Sequence, residues 1–125
     1  MLWKVLIVLG AVNAALAVGI GAFGAHGLEG RLSNRMIETY NTGAQYHMYH
    51  SLGLIAIGAV AAYTGGGSAL LGWSGWLLFA GIILFSGSLY VLSLSGISWL
   101  GAVTPLGGVA FIAGWICLII YVLKA

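Results

Sequence analysis

Four apolar runs, each about long enough to span a bilayer, alternate with short polar breaks along this chain. They cover residues 2–23, 44–63, 70–93 and 99–123, and the first is interrupted only by Lys4 and Asn13. A membrane-crossing helix needs roughly 20 mostly apolar residues. The breaks carry turn chemistry: a polar stretch over 24–43, a Gly-rich turn over 64–68 and a Ser/Gly turn over 94–98. An isolated strand in lipid leaves backbone groups unpaired, so each run is expected to be helical. The pattern predicts an all-α, integral membrane four-helix bundle, a single domain over 1–125 with both termini on one side.

The longest break has a pattern of its own. Leu28, Leu32, Met36 and Tyr40 recur every four residues, while Arg31, Arg35 and Glu38 fall between them. That spacing predicts a short amphipathic segment between the first two spans, with Ser33 or Asn34 as its cap. Its alternative is a solvated loop. Aromatic residues favour membrane interfaces. Trp3, Tyr63, Trp73 and Tyr121 fall near one face, and Tyr40, Tyr46 and Trp99 near the other. Trp76 and Trp115 lie deeper, as packing residues.

Composition supports the membrane assignment. Between Glu38 and Lys124 there is no Asp, Glu, Lys or Arg; the chain is 62% hydrophobic and 5% charged. Soluble domains average about 25% charged residues. A net charge of +2 offers no basic patch, which excludes a nucleic-acid surface. Lys4 and Lys124 on the terminal side balance Arg31 and Arg35 in the first break, so the positive-inside rule sets no orientation. The single cysteine, Cys117, rules out an intramolecular disulfide and a cysteine metal site. Lys4 and the segment Phe23-Gly24-Ala25 also fit a signal peptide. The run exceeds the usual signal core of ~7–15 residues, so a retained span is expected.

Lipid provides no hydrophobic reason for helices to associate, so small residues must let them approach. The first run offers Gly10, Ala14, Ala17, Gly21 and Ala25; the fourth offers Gly101, Gly107, Gly108, Ala110 and Gly114. Pro105 is tolerated in a first helical turn but would bend a helix that starts as early as Trp99.

Placing polar residues by depth makes the chain lopsided. His26, Tyr46, His47, His50, Ser86, Ser88, Tyr90, Ser93 and Thr104 all belong to the half facing the first break. His50 lies ~5 Å from the midplane along its helix. An ionisable residue that deep needs a partner. Ser86, Tyr90, Thr104 and Asn13 are the candidates, and a neutral histidine hydrogen-bonding helices together is the simplest outcome. His47 and His50 share a helix face, and with His26 they offer three nitrogens, a weak metal-site pattern without a carboxylate beside the pair. No resident cofactor is expected. Enzymatic motifs are absent: Gly65-Gly66-Gly67 is followed by serine rather than lysine, and no carboxylate lies within a span.

Four segments together resemble a known family. They are Gly21-Ala22-Phe23-Gly24-Ala25-His26-Gly27-Leu28, Tyr46-His47-Met48-Tyr49-His50-Ser51-Leu52, Phe85-Ser86-Gly87-Ser88-Leu89-Tyr90 and Thr104-Pro105-Leu106-Gly107-Gly108. The chain resembles, along essentially its whole length, the YgdD/YwdK-type family of small membrane proteins, a domain-of-unknown-function family. The resemblance implies four transmembrane helices in a bacterial inner or plasma membrane and no established molecular function. Members of that family often carry Gln where this chain has His47, which weakens a metal reading. The expected function is non-enzymatic: a His50-centred polar pocket in one leaflet, including His26, His47, Ser86, Tyr90, Thr104 and Asn13, that binds a small or amphipathic ligand such as a lipid headgroup. Residues 24–43 would be its lid. The alternatives are a small-solute or proton transporter or channel subunit, and a structural or assembly partner of another membrane protein. Membrane lipids are the expected partners, with a homo-oligomer or a second membrane protein as further ones.

Overall fold

The computed structural model describes residues 1–66 and 68–125, and the described residues are helical with short connections. Helix α1 is Leu2–Gly27 and α2 is Asn34–Tyr63. Helix α3 runs Ala69–Ser95 and α4 runs Ser98–Lys124. Helices α1, α3 and α4 are long and apolar enough to cross a membrane. Helix α2 is the longest but does not join them, because His47, His50 and three tyrosines dilute its apolar stretch. At about 1.5 Å per residue its 30 residues rise roughly 45 Å, well beyond a ~30 Å hydrocarbon core.

The amphipathic segment is present, but its helical part is the first turns of α2 rather than a separate element. Ser33 is the cap: its hydroxyl accepts from the Met36 N–H at 3.2 Å. Leu28 and Tyr40 are buried and Leu32 and Met36 half-buried, while Arg31, Arg35 and Glu38 are exposed. The stripe continues into the α2 core face through Gly43, His47, His50, Leu54, Ile57 and Ala61. Helix α3 contains a π-helical turn, Ile82–Ser86, closed by the Gly87 N–H donating to Ile82 C=O. It ends at Gly96, whose φ of 74° is the left-handed conformation that glycine adopts without strain. A 3₁₀ turn over Ser98–Ala102 precedes the α-helical part of α4, so Pro105 falls in its first turn and needs no kink.

Neighbours in sequence pack antiparallel. Along α1 and α2, Asn13 meets His47 and Ile20 meets Tyr40. Along α3 and α4, Ser74 meets Gly114 and Ser88 meets Thr104. The Tyr90 ring against Gly43, and Leu78 and Trp115 against Gly53, join the two pairs around α2. An apolar core of Leu6, Leu54, Ile57, Ala61, Leu71, Leu78, Ile82 and Phe111 fills the half away from the first connection.

Close approach uses fewer small residues than the spacing predicted. On α1 the buried face is Leu6, Gly10, Asn13, Ala17 and Gly24. Gly21 and Gly101 face open space and Ala25 is exposed, so these three do not form the seam. On α4, Gly107 and Gly114 do: a Cβ on Gly107 would meet the Phe85 backbone, and one on Gly114 would lie 3.0 Å from Ser74 C=O. Trp115 packs inside as expected; Trp76 instead lies on the outer surface.

Candidate functional site

The polar half of the bundle is organised around His47. Helix α2 directs its ring between α1 and α3, where only 4% of the residue is exposed. His47 Nε2 lies 2.9 Å from Asn13 Oδ1, and Nδ1 lies 2.9 Å from the Tyr90 hydroxyl. Asn13 Nδ2 donates to Leu9 C=O at 2.8 Å, which turns the amide oxygen toward the histidine. An amide oxygen can only accept, so His47 Nε2 donates. In the neutral ring Nδ1 then accepts, and Tyr90 donates to it. A single directed chain results: Tyr90 on α3 to His47 on α2 to Asn13 on α1 to Leu9 C=O.

His50 is placed differently. Its Nδ1 lies 2.8 Å from the Tyr46 carbonyl one turn earlier on α2, so Nδ1 carries the proton. The ring stacks on Phe111 of α4 with centroids 3.5 Å apart, and Tyr46 and Trp115 stand beside it. This is an aromatic packing site. Nothing fits between His50 and Phe111 at that separation, so the ring does not open onto a pocket there. Three of the four residues expected to partner His50 have other partners: Asn13 and Tyr90 pair with His47, and Thr104 pairs with the Ser88 hydroxyl at 2.6 Å. Ser88 also donates to Phe85 C=O, so a second hydrogen-bonded link joins α4 to α3.

Ser86, fully buried in the π turn, is the one buried side-chain polar atom without a hydrogen bond among the described residues. His26 is exposed in the last turn of α1 and is not part of the buried network. Among the described residues no three His, Cys, Asp or Glu side chains converge as a metal site. The His26–His47–His50 triad is therefore not assembled.

Three positions that sequence reasoning left out of the site belong to the architecture around it. Tyr40, expected at the interface, is buried on α1 and donates to Ile20 C=O at 2.5 Å. Ser51 donates to His47 C=O at 2.6 Å, beneath the Gly10 contact. Ser74 donates to Gly114 C=O at 2.7 Å across α3 and α4, in the half expected to be almost free of polar groups. Its signal was its spacing: Leu71, Ser74, Gly75 and Leu78 form one helix face.

Beyond the buried chain, a cleft of 310 Å³ separates the end of α1 from the start of α2, lined by Gly24, Ala25, Glu29, Asn34, Ile37 and Asn41.

The family described as "Protein of unknown function (DUF423)" matches residues 20–108. The UPF0382 membrane protein YwdK of Bacillus subtilis is 57% identical over 97% of this chain and 98% of its own. UPF0382 membrane proteins of Staphylococcus epidermidis and Staphylococcus saprophyticus are each 54% identical over 97% of this chain, covering 97% and 98% of theirs. No solved structure matches the chain.

Proposed function

Starting from the fact that this chain belongs to the DUF423 family of membrane proteins of unknown function, we propose that it is a non-enzymatic, multi-pass protein of the cell membrane. It acts as a rigid helical platform that offers its first-connection end to an amphipathic ligand, a lipid headgroup. The observation that carries this reading is the closed Tyr90–His47–Asn13–Leu9 chain. Its polar atoms are used in holding α1, α2 and α3 together. Polar groups free to meet a ligand lie outside it, between α1 and α2.

The same chain argues against proton or solute transport. Asn13 accepts from His47, but a neutral amide is a poor carrier of a proton onward, and its own N–H ends on a backbone carbonyl. Beyond it lies the apolar core. Two measurements on the purified chain test the platform reading. Liposomes containing it should show no proton or solute flux above empty ones, and lipid added to the detergent-solubilised protein should raise its melting temperature. A flux that disappears in His47→Phe, or indifference to every lipid class, overturns the reading.

A further inference from the structure

We propose that the cleft between α1 and α2 binds a primary ammonium group, presented by the headgroup of an aminophospholipid. The inference rests on the platform reading above and identifies its ligand. Glu29, just after α1, provides a carboxylate; Asn34 and Asn41, two turns apart on one face of α2, provide amide oxygens. The side chains of all three are exposed, and none takes part in the side-chain hydrogen bonds among the described residues. The hydroxyl side chains of these first turns are engaged: Ser33 caps α2, and Thr39 and Thr42 donate to carbonyls one turn back.

The charge of the lining selects the ligand. An ammonium group carries three N–H donors and no acceptor. The cleft offers one anionic acceptor, Glu29; Asn34 and Asn41 stand about 10 Å apart along α2 at ~1.5 Å per residue, so one amide oxygen meets the ammonium and the other amide, a donor as well as an acceptor, faces the rest of the headgroup. A quaternary ammonium lacks those donors, and an anionic headgroup without an amine would place negative charge against Glu29. The remaining wall, Gly24, Ala25 and Ile37, is apolar and suits the methylenes between amine and phosphate. Arg31 in the connection and Arg35 in the first turn of α2, both exposed, supply positive charge for that phosphate. Gly24, at the cleft's inner wall, leaves room for the Tyr40 ring, which packs directly on it.

Depth selects the source. The cleft lies where α1 ends and where α2 rises beyond its apolar stretch, the level at which headgroups lie. Any primary amine shares the chemistry, so the test separates lipid from soluble amine.

The full chain in detergent is titrated with phosphatidylethanolamine, phosphatidylcholine and phosphatidylglycerol and followed by native mass spectrometry. Glycerophosphoethanolamine serves as the soluble arm. Phosphatidylethanolamine is expected to bind in preference to the other two by about tenfold, the equivalent of one charge-assisted hydrogen bond. Glu29→Gln should abolish that preference without lowering the melting temperature, because Glu29 is exposed and supports no buried contact. Asn41→Ala should weaken it. Equal binding of phosphatidylethanolamine and phosphatidylglycerol by wild type, or a preference for phosphatidylethanolamine that survives Glu29→Gln, overturns the ammonium assignment while the platform reading stands. Indifference to every lipid overturns both. Binding of the soluble arm as tight as that of the lipid overturns the lipid source.

Discussion

Replacing His47 with phenylalanine keeps an aromatic ring in place and removes both nitrogens. Asn13 Oδ1 then loses its donor and the Tyr90 hydroxyl its acceptor. Interhelical hydrogen bonds in membranes average about 0.6 kcal/mol and reach about 1.7. A buried polar group left without a partner costs ~1–3 kcal/mol, so the orphaned groups dominate. Tyr90 is only half-buried and falls at the low end; Asn13, 7% exposed, falls nearer the middle. Together they give a loss of about 2–4 kcal/mol. The decisive comparison is the triple variant Asn13→Leu, His47→Phe, Tyr90→Phe. It orphans nothing: Leu9 C=O keeps its bond within the helix, and both former partners of the histidine become apolar. Removing every member of a buried network together can be nearly neutral, so the triple variant should cost less than His47→Phe alone. Unfolding of the detergent-solubilised chain by sodium dodecyl sulfate, followed by circular dichroism, measures both. A triple variant as costly as the sum of its three single substitutions, or a His47→Phe cost below about 0.5 kcal/mol, refutes the directed chain as the fastening of these helices.

Further substitutions probe the contacts around that chain by the same assay. A Cβ at Gly10 would lie 2.6 Å from Ser51 C=O and 3.0 Å from the Ile55 N–H nitrogen, both backbone. Gly10→Ala should therefore cost ~1–3 kcal/mol by forcing α1 from α2, whereas Gly21→Ala, which meets nothing within 4 Å, should cost nothing; equal effects would contradict the packing. Ser74→Ala removes the α3–α4 bond to Gly114 and should cost about 0.6–1.7 kcal/mol. Ser33→Ala should cost about 1 kcal/mol and speed amide exchange at Met36, whose N–H the cap holds; unchanged exchange would deny the cap.

Much of this fold can be read along the chain alone. The four apolar runs, a cap at Ser33 or Asn34, the Leu28–Tyr40 stripe and the concentration of polar residues in one half all stem from apolarity and spacing. Those are properties of a residue and its near neighbours. Lipid makes them decisive, because it penalises any unpaired backbone and any stray charge.

Which polar residue meets which is a different kind of information. His47 and His50 share a helix face, and depth alone favoured His50. The structure makes His47 the hub because α1 and α3 both present polar groups at its level, while α4 brings Phe111 and Trp115 to His50. The π turn over Ile82–Ser86 enters the same account. One additional residue in a turn rotates the downstream part of the helix by about 100°, so Tyr90's direction cannot be counted from the start of α3 at 3.6 residues per turn. Gly10 and Gly21 differ for the same reason: one faces α2 and the other open space. The sequence by itself determined what each helix is made of and how deep each polar group lies. Only the tertiary structure decided the rotation of each helix about its axis, because that is set by neighbours distant in sequence and close in space.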